Sequence, residues 1–546
     1  MSLTKIYRSI TYAEWKFVTA VFLTALIVLN IPYLYGWLAA PSGYVYNGIN
    51  LLSSSDSPVY NSYITQAAQG NLIPINLFTL ESQSHGVFHP VWATLGLASK
   101  VFGLSSLLTF QLARNVFSIF LIFGAYFFVS YFFEIVWQRK LSLLALVFSS
   151  GLGAWLVVPL LFFSNRSAIS APIDLWVPEA NVFLSLYRMP HFIISWCLLM
   201  LVTLLTLLAI ENQNFKYAVG GGIAALIWFS FHPYYVFYAF GIFAFYLFIL
   251  FAVRHEINWK NVLMILIVFL ISSPVLIYHG WLILTDSAIS SRAMQNVTLT
   301  PGLIWVMTGY GLLFIMAILA IYQAVNSGKI KQNSKLLFLC SWFMANLLLV
   351  YMPIPWQRRM LQGWQLPMVL LSIWYIAWLL SRGGKTATWL RYRPMMVLIS
   401  ILFLFLTSAY VLTRDTFYYY SQTRSDLFYV ALDDLAAMDY LSHLPQYQNV
   451  MASWLSGIMI PGYSGQKVFA GHGHETLNPL AKLKRTEWFY KSNSEDIAKQ
   501  EFLSDNDINI IFFGEKEAQA GNFQPGTKPY LKLIYSSGQS ALYQVL

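Results

Sequence analysis

Charged residues are scarce in this chain. Only 10% of the 546 residues are Asp, Glu, Lys or Arg, and 58% are hydrophobic, whereas a soluble domain carries about 25% charged residues. Cysteine is scarcer still: Cys197 and Cys340 are the only two. A disulfide scaffold and a zinc framework of several cysteines are therefore excluded. The composition also excludes a disordered chain and predicts a polytopic membrane protein.

Two further signals are missing. The full Walker pattern of a nucleotide-binding loop is absent. The net charge of +10 is not gathered into a basic face with interleaved aromatic residues, so no nucleic-acid partner is expected. Residues 413–546 hold 11 basic and 14 acidic residues, which leaves 22 of the 33 basic and 9 of the 23 acidic residues in 1–412. The basic excess therefore belongs to the apolar part of the chain.

Eleven apolar segments are long enough to cross a bilayer, for which about 20 residues are needed. The predicted spans are 17–37, 107–133, 141–163, 190–210, 217–233, 234–253, 261–281, 301–323, 336–353, 364–381 and 394–412. The predicted fold class is an α-helical polytopic membrane protein with about 11 transmembrane helices. Residues 1–412 are assigned to the membrane domain, and 413–546 to a small C-terminal α/β domain of soluble composition.

The basic residues indicate how the chain is inserted. If the N-terminus is cytoplasmic, the segments on that side hold 15 of the 22 basic residues of 1–412, as the positive-inside rule requires. An odd number of spans then places the C-terminal domain on the extracytoplasmic side. The count depends on a tight turn at His232-Pro233. If 217–253 were a single span, the C-terminal domain would be cytoplasmic.

The first outer loop, residues 38–106, has the pattern of folded structure rather than of a linker. Ser55-Asp56-Ser57-Pro58 is typical of a helix start, with a capping residue and then proline in the first turn. The following spacing predicts a helix that ends at Gly70, and a second amphipathic stretch follows at 91–103. His85 and His89 lie between the two stretches and are candidate site or interface residues.

Seven basic residues of the membrane domain do not fall on the cytoplasmic side: Lys100, Arg114, Arg166, Arg188, Arg292, Arg358 and Arg359. Charges at this level of a membrane protein are costly unless they are paired or used, so these residues mark a candidate functional face. Three short strings stand out there. They are Tyr187-Arg188-Met189-Pro190-His191-Phe192, His232-Pro233-Tyr234 and Pro355-Trp356-Gln357-Arg358-Arg359-Met360.

The long first outer loop, with Asp56 at a helix start, and these three strings together resemble the GT-C superfamily of integral membrane glycosyltransferases, bacterial members in particular. The resemblance implies a polyprenyl-phosphate-sugar donor, a glycan, lipid or protein acceptor, and a site on the extracytoplasmic face of a bacterial cytoplasmic membrane. The acidic residue of the superfamily's loop matches Asp56. Many relatives carry two neighbouring acids, whereas Asp56 stands alone, so metal use stays open and no cofactor is assigned.

Transfer from such a donor requires a base, cations for the leaving phosphate and an apolar groove for the lipid. Asp56 is the predicted general base, and one displacement with one base predicts inversion. Guanidinium groups bind phosphate oxygens in a bidentate manner, so Arg358 and Arg359 are the first candidates for the donor phosphate. The further candidates are Arg188, His191 and Arg292.

Each of these roles has a structural alternative. Asp56 could serve only as a helix cap, and the arginine pair could extend to lipid headgroups. Because neighbours on a helix point apart, only one of Arg358 and Arg359 is expected to face a site. Arg188 and His191 are three residues apart and are predicted to share one helix face. His232 is a candidate site residue or a turn residue.

The C-terminal domain alternates apolar runs with helical stretches. Helices are predicted at 426–443, 478–491 and 494–504, strands at 450–454, 468–471 and 508–513, and a closing hairpin at 530–536 and 540–545. This alternation predicts an α/β unit with partly parallel strands. The string Gly471-His472-Gly473-His474-Glu475-Thr476 is the most unusual. Its spacing matches no helical zinc motif, so His472, His474 and Glu475 are predicted to contact the site or to form a structural turn, and no metal ligand is assigned.

Two other classes of protein stay open. A transporter or flippase for lipid-linked sugars would show internal repeats and charges near the bilayer midplane; no clear repeat is present, and the charges cluster at outer helix ends. A non-catalytic membrane scaffold with an outer binding domain would give the isolated polar residues of the first loop no purpose. The leading hypothesis is a membrane glycosyltransferase.

Overall fold

The computed structural model describes residues 1–53, 55–163, 172–255, 257–382, 404–419 and 427–546. Helices predominate before residue 420. They are Leu3–Arg8, Tyr12–Leu38, Asp56–Ala68, Pro90–Phe102, Ser106–Phe132, Val136–Phe148, Gly153–Phe163, Val182–Arg188, Pro190–Asn212, Phe215–Phe231, Tyr235–Arg254, Trp259–Ser272, Pro274–Thr285, Ser287–Gln295, Leu303–Tyr310, Leu312–Asn326, Lys329–Gln332, Ser334–Leu349 and Gln365–Arg382. Short 3-10 turns are formed by Ile173–Leu175, Pro178–Ala180 and Gln357–Leu361.

Helices occupy ten of the eleven segments predicted to span the membrane, and the eleventh, 394–412, lies largely outside the described residues. Five of the described helical segments are long and apolar enough to cross a bilayer: Tyr12–Leu38, Ser106–Phe132, Pro190–Asn212, Tyr235–Arg254 and Gln357–Ser381. Three further pairs of helices qualify only together and are bent, by 41°, 43° and 91°, which raises the number to eight. An integral membrane protein is therefore indicated, and the count of eleven stays a prediction.

The first compact unit comprises residues 1–31, 114–277 and 297–414. Fully buried tryptophans from several helices fill its interior: Trp196, Trp228, Trp342 and Trp364. Glycine allows close helix packing, because a Cβ on Gly222 would lie only 2.7 Å from the Cβ of Ile271 on a neighbouring helix. Small residues at helix contacts are typical of membrane interiors.

In one bent pair of helices of this unit, a side chain satisfies the backbone N–H groups at the break. The Asp174 carboxylate accepts the backbone N–H groups of Gly151 at 2.9 Å and Gly153 at 3.0 Å. Both glycines lie at the break between Val136–Phe148 and Gly153–Phe163. The carboxylate thus replaces carbonyl acceptors that a continuous helix would have supplied, as backbone groups inside a bilayer require. It also fixes the start of the loop that carries Glu179.

The second compact unit comprises residues 32–113, 278–296 and 415–546. Its five-stranded sheet has the order Lys467–Val468, Asn449–Met451, Ile510–Phe513, Ser540–Val545, Leu531–Ser537. The first three strands run parallel and the last two form an antiparallel hairpin. The helices of this region are Leu432–Ser442, Trp454–Ser464, Pro479–Lys491, Asp496–Asp505 and Glu515–Ala520. The prediction of an α/β unit with partly parallel strands and a closing hairpin is confirmed.

Two features of this unit differ from the sequence prediction. The helix expected at 426–443 begins only at Leu432, because Tyr429–Ala431 is a strand that pairs with Tyr44–Tyr46 of the first outer loop. The helix Trp454–Ser464 was not predicted. A strand pairing between residues almost 400 positions apart leaves no local pattern, and this pairing groups the first outer loop with the C-terminal region.

Candidate functional site

Asp56 opens the helix Asp56–Ala68 in the second unit, with Pro58 in its first turn as predicted. The residue at the cap position is Ser55, whose side chain makes no capping hydrogen bond. The Asp56 side chain keeps 46% of its surface exposed. The carboxylate is therefore accessible, which a base for an incoming hydroxyl group requires.

The helix that carries Asp56 is fixed against the C-terminal region of the same unit. It packs on Trp454–Ser464, where Thr65 donates its hydroxyl to the Gly462 carbonyl at 2.7 Å. A Cβ on Gly462 would lie 3.2 Å from the Cβ of Asn61, so glycine permits this close approach. The helix is thus held rigidly enough to place Asp56 beside the loop 471–476, called the His472 loop below.

His472 is buried, and its protonation is set by its own loop. Its Nδ1 accepts the backbone N–H groups of His474 at 3.1 Å and Glu475 at 3.0 Å. In the neutral ring the proton must then be on Nε2. This Nε2 lies 3.6 Å from Oδ1 of Asp56, slightly beyond hydrogen-bond length, and has no hydrogen-bond partner among the described residues. A buried N–H donor is therefore poised beside an exposed carboxylate.

Three hydroxyl and backbone contacts shape the His472 loop. The N–H groups of Gly471 and His472 donate to the Thr476 hydroxyl oxygen at 3.1 and 3.0 Å, and that hydroxyl donates to the Phe78 carbonyl at 2.9 Å. Gly471 also lies against the backbone of Gly457, because a Cβ on it would come within 2.3 Å of the Gly457 carbonyl carbon. The unusual string 471–476 thus forms a compact turn that fixes the orientation of the His472 ring.

Arg292 anchors the other end of this loop. Its guanidinium group forms an ion pair with Glu475 at 2.9 Å and donates to the Tyr63 hydroxyl at 3.2 Å. Burial, together with the Glu475 charge, raises the pKa of Tyr63 to about 12, so its hydroxyl stays protonated. Arg292 thus joins the His472 loop to the helix of Asp56, in addition to the phosphate-binding role predicted for it.

Asp286 places the short helix that bears Arg292. Its carboxylate accepts four backbone N–H groups, from Ser84 and His85 of the first outer loop and from Ala288 and Ile289 of the helix Ser287–Gln295. Although burial works against ionisation, these bonds hold the pKa of the Asp286 carboxyl below its usual range. The loop and the helix are thereby linked through one side chain.

The two histidines of the first outer loop lie in aromatic surroundings. The His85 ring is centred 4.5 Å from the Trp281 ring, and the His89 ring stacks on Trp92 at 5.3 Å. Burial, with His279 nearby, lowers the pKa of His89 to about 3, so it stays neutral at physiological pH. His474, in contrast, is exposed, and its carbonyl accepts from Gln295 at 2.6 Å.

Lys482 follows the His472 loop and contacts the first outer loop. Its amine lies 2.7 Å from Glu81 and donates to the Thr79 hydroxyl at 3.2 Å. Burial opposes ionisation of Glu81, but the bonds from Lys482 and Thr79 outweigh it, and the pKa of the carboxyl is lowered.

The first unit contains a separate cluster of charges around Glu179, called the arginine cluster below. Glu179 is fully buried and forms an ion pair with Arg359. Arg358 and Arg188 also act on this carboxylate, and despite its burial the three cations hold its pKa below the usual range. Three guanidinium groups thus gather around a single carboxylate in the part of this unit that the structure describes. This is a strongly positive environment.

Aromatic rings support the arginine cluster. The Arg358 guanidinium group lies 4.9 Å from the Trp176 ring centre, and Arg359 lies 5.9 Å from the rings of Phe192 and Tyr234. Arg188 donates to the Trp176 carbonyl at 2.7 Å. Both Arg358 and Arg359 therefore contact the loop that holds Trp176 and Glu179, and they do not point apart as neighbours on a regular helix would. The tight 3-10 turn Gln357–Leu361 replaces the regular helix on which the expectation of divergent side chains depended.

Arg188 and His191 do not share a helix face, contrary to the prediction. Arg188 ends the helix Val182–Arg188, Met189 is extended, and His191 lies in the first turn of Pro190–Asn212. Proline at 190 starts the new helix. Both side chains are buried all the same, and His191 packs edge-on against His232 with ring centres 5.4 Å apart.

His232 lies at the predicted turn between Phe215–Phe231 and Tyr235–Arg254. Its Nδ1 is 3.3 Å from the Ser195 hydroxyl oxygen, which also accepts from Trp228 at 2.6 Å and from Gln362 at 2.7 Å. This buried network joins two helices, the turn at His232 and the end of the arginine-bearing turn. Its contacts give His232 a structural role in the turn.

A divalent cation is not suited to the donor set around Asp56. The nearest nitrogen, Nε2 of His472, carries a proton, whereas a metal ligand needs a free lone pair. Within the described ranges, no group of three His, Cys, Asp or Glu side chains is arranged to hold a metal ion.

The overall fold is shared with solved membrane glycosyltransferases. An oligosaccharyltransferase of Archaeoglobus fulgidus, tethered to an acceptor peptide with an NVT sequon, has a TM-score of 0.55 at 11% identity, over 91% of this chain and 68% of that one. The same archaeal enzyme, AglB, with an inhibitory peptide and a dolichol-phosphate, also scores 0.55 at 11% identity, over 92% and 70%. Arabinofuranosyltransferase AftD from Mycobacteria scores 0.50 at 10% identity, over 97% of this chain but only 41% of that one.

No family model matches the chain, and no curated protein matches it. The comparison with solved structures shows the fold of these membrane glycosyltransferases, in agreement with the resemblance that the sequence motifs indicated.

Glu179, Trp176 and Tyr234 were not selected as site residues from the sequence. The ion pair of Glu179 joins residues 180 positions apart and leaves no local signal in the sequence. The aromatic residues do not stand out in a chain in which 17% of all residues are aromatic. The strings that contain Arg188, His232 and the Arg358-Arg359 pair were the signals that pointed to this region.

Proposed function

We propose that the protein is a glycosyltransferase that moves a sugar from a polyprenyl-phosphate donor to an acceptor hydroxyl group at the extracytoplasmic face of the membrane. The observation that carries the proposal is the accessible Asp56 carboxylate beside the buried N–H of His472. This pair stands at the start of the first outer loop's helix in a chain with the GT-C fold. A scaffold has no use for such an arrangement.

In the proposed reaction, Asp56 takes the proton of the acceptor hydroxyl group as its oxygen attacks the anomeric carbon. The bond between that carbon and the phosphate oxygen breaks, and the polyprenyl phosphate leaves with the bonding electron pair. One displacement inverts the anomeric configuration. His472 stabilises the ionised form of Asp56 and releases no proton of its own.

The arginine cluster is proposed to bind the donor phosphate. A buried positive environment is stabilised by an anion, and a leaving phosphate gains negative charge as the bond breaks, so fixed guanidinium groups favour the transition state. Arg358 and Arg359 are the primary ligands, with Arg188 and His191 beside them. The dolichol-phosphate bound by AglB is a polyprenyl phosphate, which is consistent with this donor class.

The test is transfer by purified full-length protein in nanodiscs. Labelled polyprenyl-phosphate mannose, glucose and arabinofuranose are supplied in turn as donors, with delipidated cell-envelope glycan or membrane glycolipid as acceptor. We expect Asp56→Asn, which keeps the shape but cannot take a proton, to lower kcat at least about 100-fold, the usual contribution of a general base. Asp439→Asn, on an exposed helix surface of the same region, is the matched control.

Donor binding by native mass spectrometry should survive in Asp56→Asn, which shows that the variant is folded. Full transfer by this variant would falsify the base assignment. Movement of labelled donor across the membrane of proteoliposomes without any glycosidic product would replace the enzyme with the flippase alternative. The sugar and the acceptor follow from whichever donor and acceptor fraction give product.

A further inference from the structure

A large cavity within the first unit is lined by residues that belong neither to the arginine cluster nor to the His472 loop. Its volume is about 910 Å³. It is lined where the helices Ser106–Phe132, Pro190–Asn212 and Tyr235–Arg254 end and where Trp259–Ser272 and Ser334–Leu349 begin. These are the helix ends that the basic residues assign to the cytoplasmic side.

The cavity is amphipathic. Apolar side chains of the helix ends form one part of its wall: Phe132, Leu207, Leu250 and Leu336. Charged side chains form another part: Glu134, Glu211, Arg254, Lys329 and Lys335. A wall of this kind, at the level where helices leave the bilayer, suits a molecule with an ionic head and an apolar tail.

Part of this charge is engaged within the protein. Glu211 forms an ion pair with the Met1 ammonium group at 2.9 Å and accepts from the Tyr131 hydroxyl at 3.2 Å. Lys335 donates to the Tyr131 carbonyl and lies 4.1 Å from the centre of that ring. Glu134 and Glu211 both act electrostatically on Lys335. The two acids are therefore balanced by the Met1 ammonium group and Lys335.

Arg254 and Lys329 are the two charged residues of the cavity wall that this balance does not include. Arg254 donates to the Ser334 hydroxyl oxygen at 2.9 Å, and the Lys329 amine lies 5.7 Å from the centre of the Trp374 ring. Neither forms an ion pair with a carboxylate within the described residues. Two cations thus face the cavity, and the neighbours that place them, Ser334 and Trp374, are neutral, so no carboxylate of the described residues compensates either charge.

We infer that this cavity binds the phosphate ester of an anionic phospholipid. The phosphate lies between Arg254 and Lys329, and an acyl chain lies along the leucines and Phe132. Basic pockets between membrane helices on the cytoplasmic side bind anionic headgroups, and guanidinium and ammonium groups both bind phosphate oxygens. This inference is independent of the proposed glycosyl transfer.

The test compares lipids retained by the full-length protein. Native mass spectrometry is recorded after extraction from nanodiscs of phosphatidylcholine alone or with phosphatidylglycerol at one quarter of the lipid. We expect at least a tenfold preference for phosphatidylglycerol, lost in Arg254→Gln/Lys329→Gln. Lys331→Gln is the matched control, because Lys331 lies on the same short helix as Lys329 but does not line the cavity. The single variants Arg254→Gln and Lys329→Gln, each with an unchanged unfolding temperature, keep the test valid should the double variant fail to fold.

A soluble probe, glycerol 3-phosphate, separates the two possible sources of the phosphate. Saturable binding of this probe with no preference for phosphatidylglycerol would overturn the lipid assignment in favour of a soluble phosphate ester. Equal retention of both lipids, or an undiminished preference in folded charge variants, would overturn the site. If Lys331→Gln also lost the preference for phosphatidylglycerol, the preference would be a general effect of basic charge at the surface, and the site would be overturned.

Discussion

At the scale of single residues, the protonation of His472 is decided by backbone geometry. Two N–H groups occupy Nδ1, so the proton is directed to Nε2, beside Asp56. A carboxylate beside a fixed donor is stabilised in its charged form. In the proposed reaction His472 therefore acts through Asp56, as a positioning residue rather than a second base.

Replacing His472 should change the pH dependence of transfer more than its substrate affinity. In His472→Asn the amide oxygen can still accept the loop's N–H groups, but no donor reaches Asp56. We expect the acidic limb of the kcat profile to move to higher pH, because the carboxylate loses stabilisation of its charged form, while KM stays unchanged. The measurement is a kcat and KM series from about pH 3.5 to 9, which includes the range in which an aspartate ordinarily titrates.

His443→Ala, at an exposed helix end, is the control for the His472 variant and should keep the wild-type profile. If folded His472→Asn also keeps it, His472 serves only to build its loop.

Sequence reasoning predicted local elements well and the distant partners of residues poorly. Asp56 was found because a helix start with proline in its first turn has a local signature, and the prediction of that helix is confirmed. The ion pairs Arg359–Glu179 and Arg292–Glu475 join distant parts of the chain and have no such signature. Arg188 and His191 were misjudged because one residue in extended conformation separates their helices.

At the scale of elements, two glycines determine where the His472 loop lies. Gly471 and Gly457 are in backbone contact, which leaves no room for a side chain on either. Helix Trp454–Ser464 and the strand end before the loop can therefore approach closely. The loop's position relative to the helix of Asp56 depends on this contact.

Gly471→Ala should both destabilise the protein and impair transfer. The added methyl group would meet the Gly457 backbone, and such overpacking typically costs 1–3 kcal/mol, here taken as about 2 kcal/mol. We expect a lower unfolding temperature in detergent and a loss of kcat that exceeds the loss of folded protein, because His472 is displaced. Gly473→Ala is the control, since nothing lies within 4 Å of a Cβ there. Equal behaviour of the two variants would show that the contact at Gly471 does not position the loop.

Elements with a strong period or a local start signal were predictable, and elements defined by distant partners were not. The apolar spans and the hairpin at the C-terminal end have such local patterns. The strand Tyr429–Ala431 exists only because Tyr44–Tyr46 pairs with it. Helix Trp454–Ser464 escaped because Gly457, Pro461 and Gly462 lie inside it and are typical of turns.

At the scale of the whole molecule, the scarcity of charge indicated both that the protein is a membrane protein and which residues are candidates for its functional site. Only 10% of the residues are charged. A cluster of three arginines around one carboxylate therefore marks a candidate functional site more strongly here than it would on the surface of a soluble protein. The individual crossings were predicted from the length of apolar segments, and the side of each terminus was inferred from the distribution of basic residues. That orientation is open to a direct test.

A protease-cleavable tag after Leu546 should be accessible only from outside sealed right-side-out vesicles, and a tag before Met1 only after lysis. The physical reason is that most basic residues of 1–412 lie in segments on the same side of the membrane as the N-terminus, which the positive-inside rule assigns to the cytoplasm. Immunodetection before and after protease treatment measures both. Cleavage of the Leu546 tag only after lysis would mean that the number of crossings is even and would place the C-terminal region in the cytoplasm.

The joint closed by Asp174 bears on how chains with this fold diverge. Because the carboxylate satisfies the N–H groups of Gly151 and Gly153, the two half-helices keep separate hydrogen-bond ladders. A change in the length of one half therefore does not rotate the side chains of the other out of register. Insulation of this kind lets substitutions and small insertions accumulate in one half while the other keeps its packing, which is one physical route to a shared architecture at 11% identity.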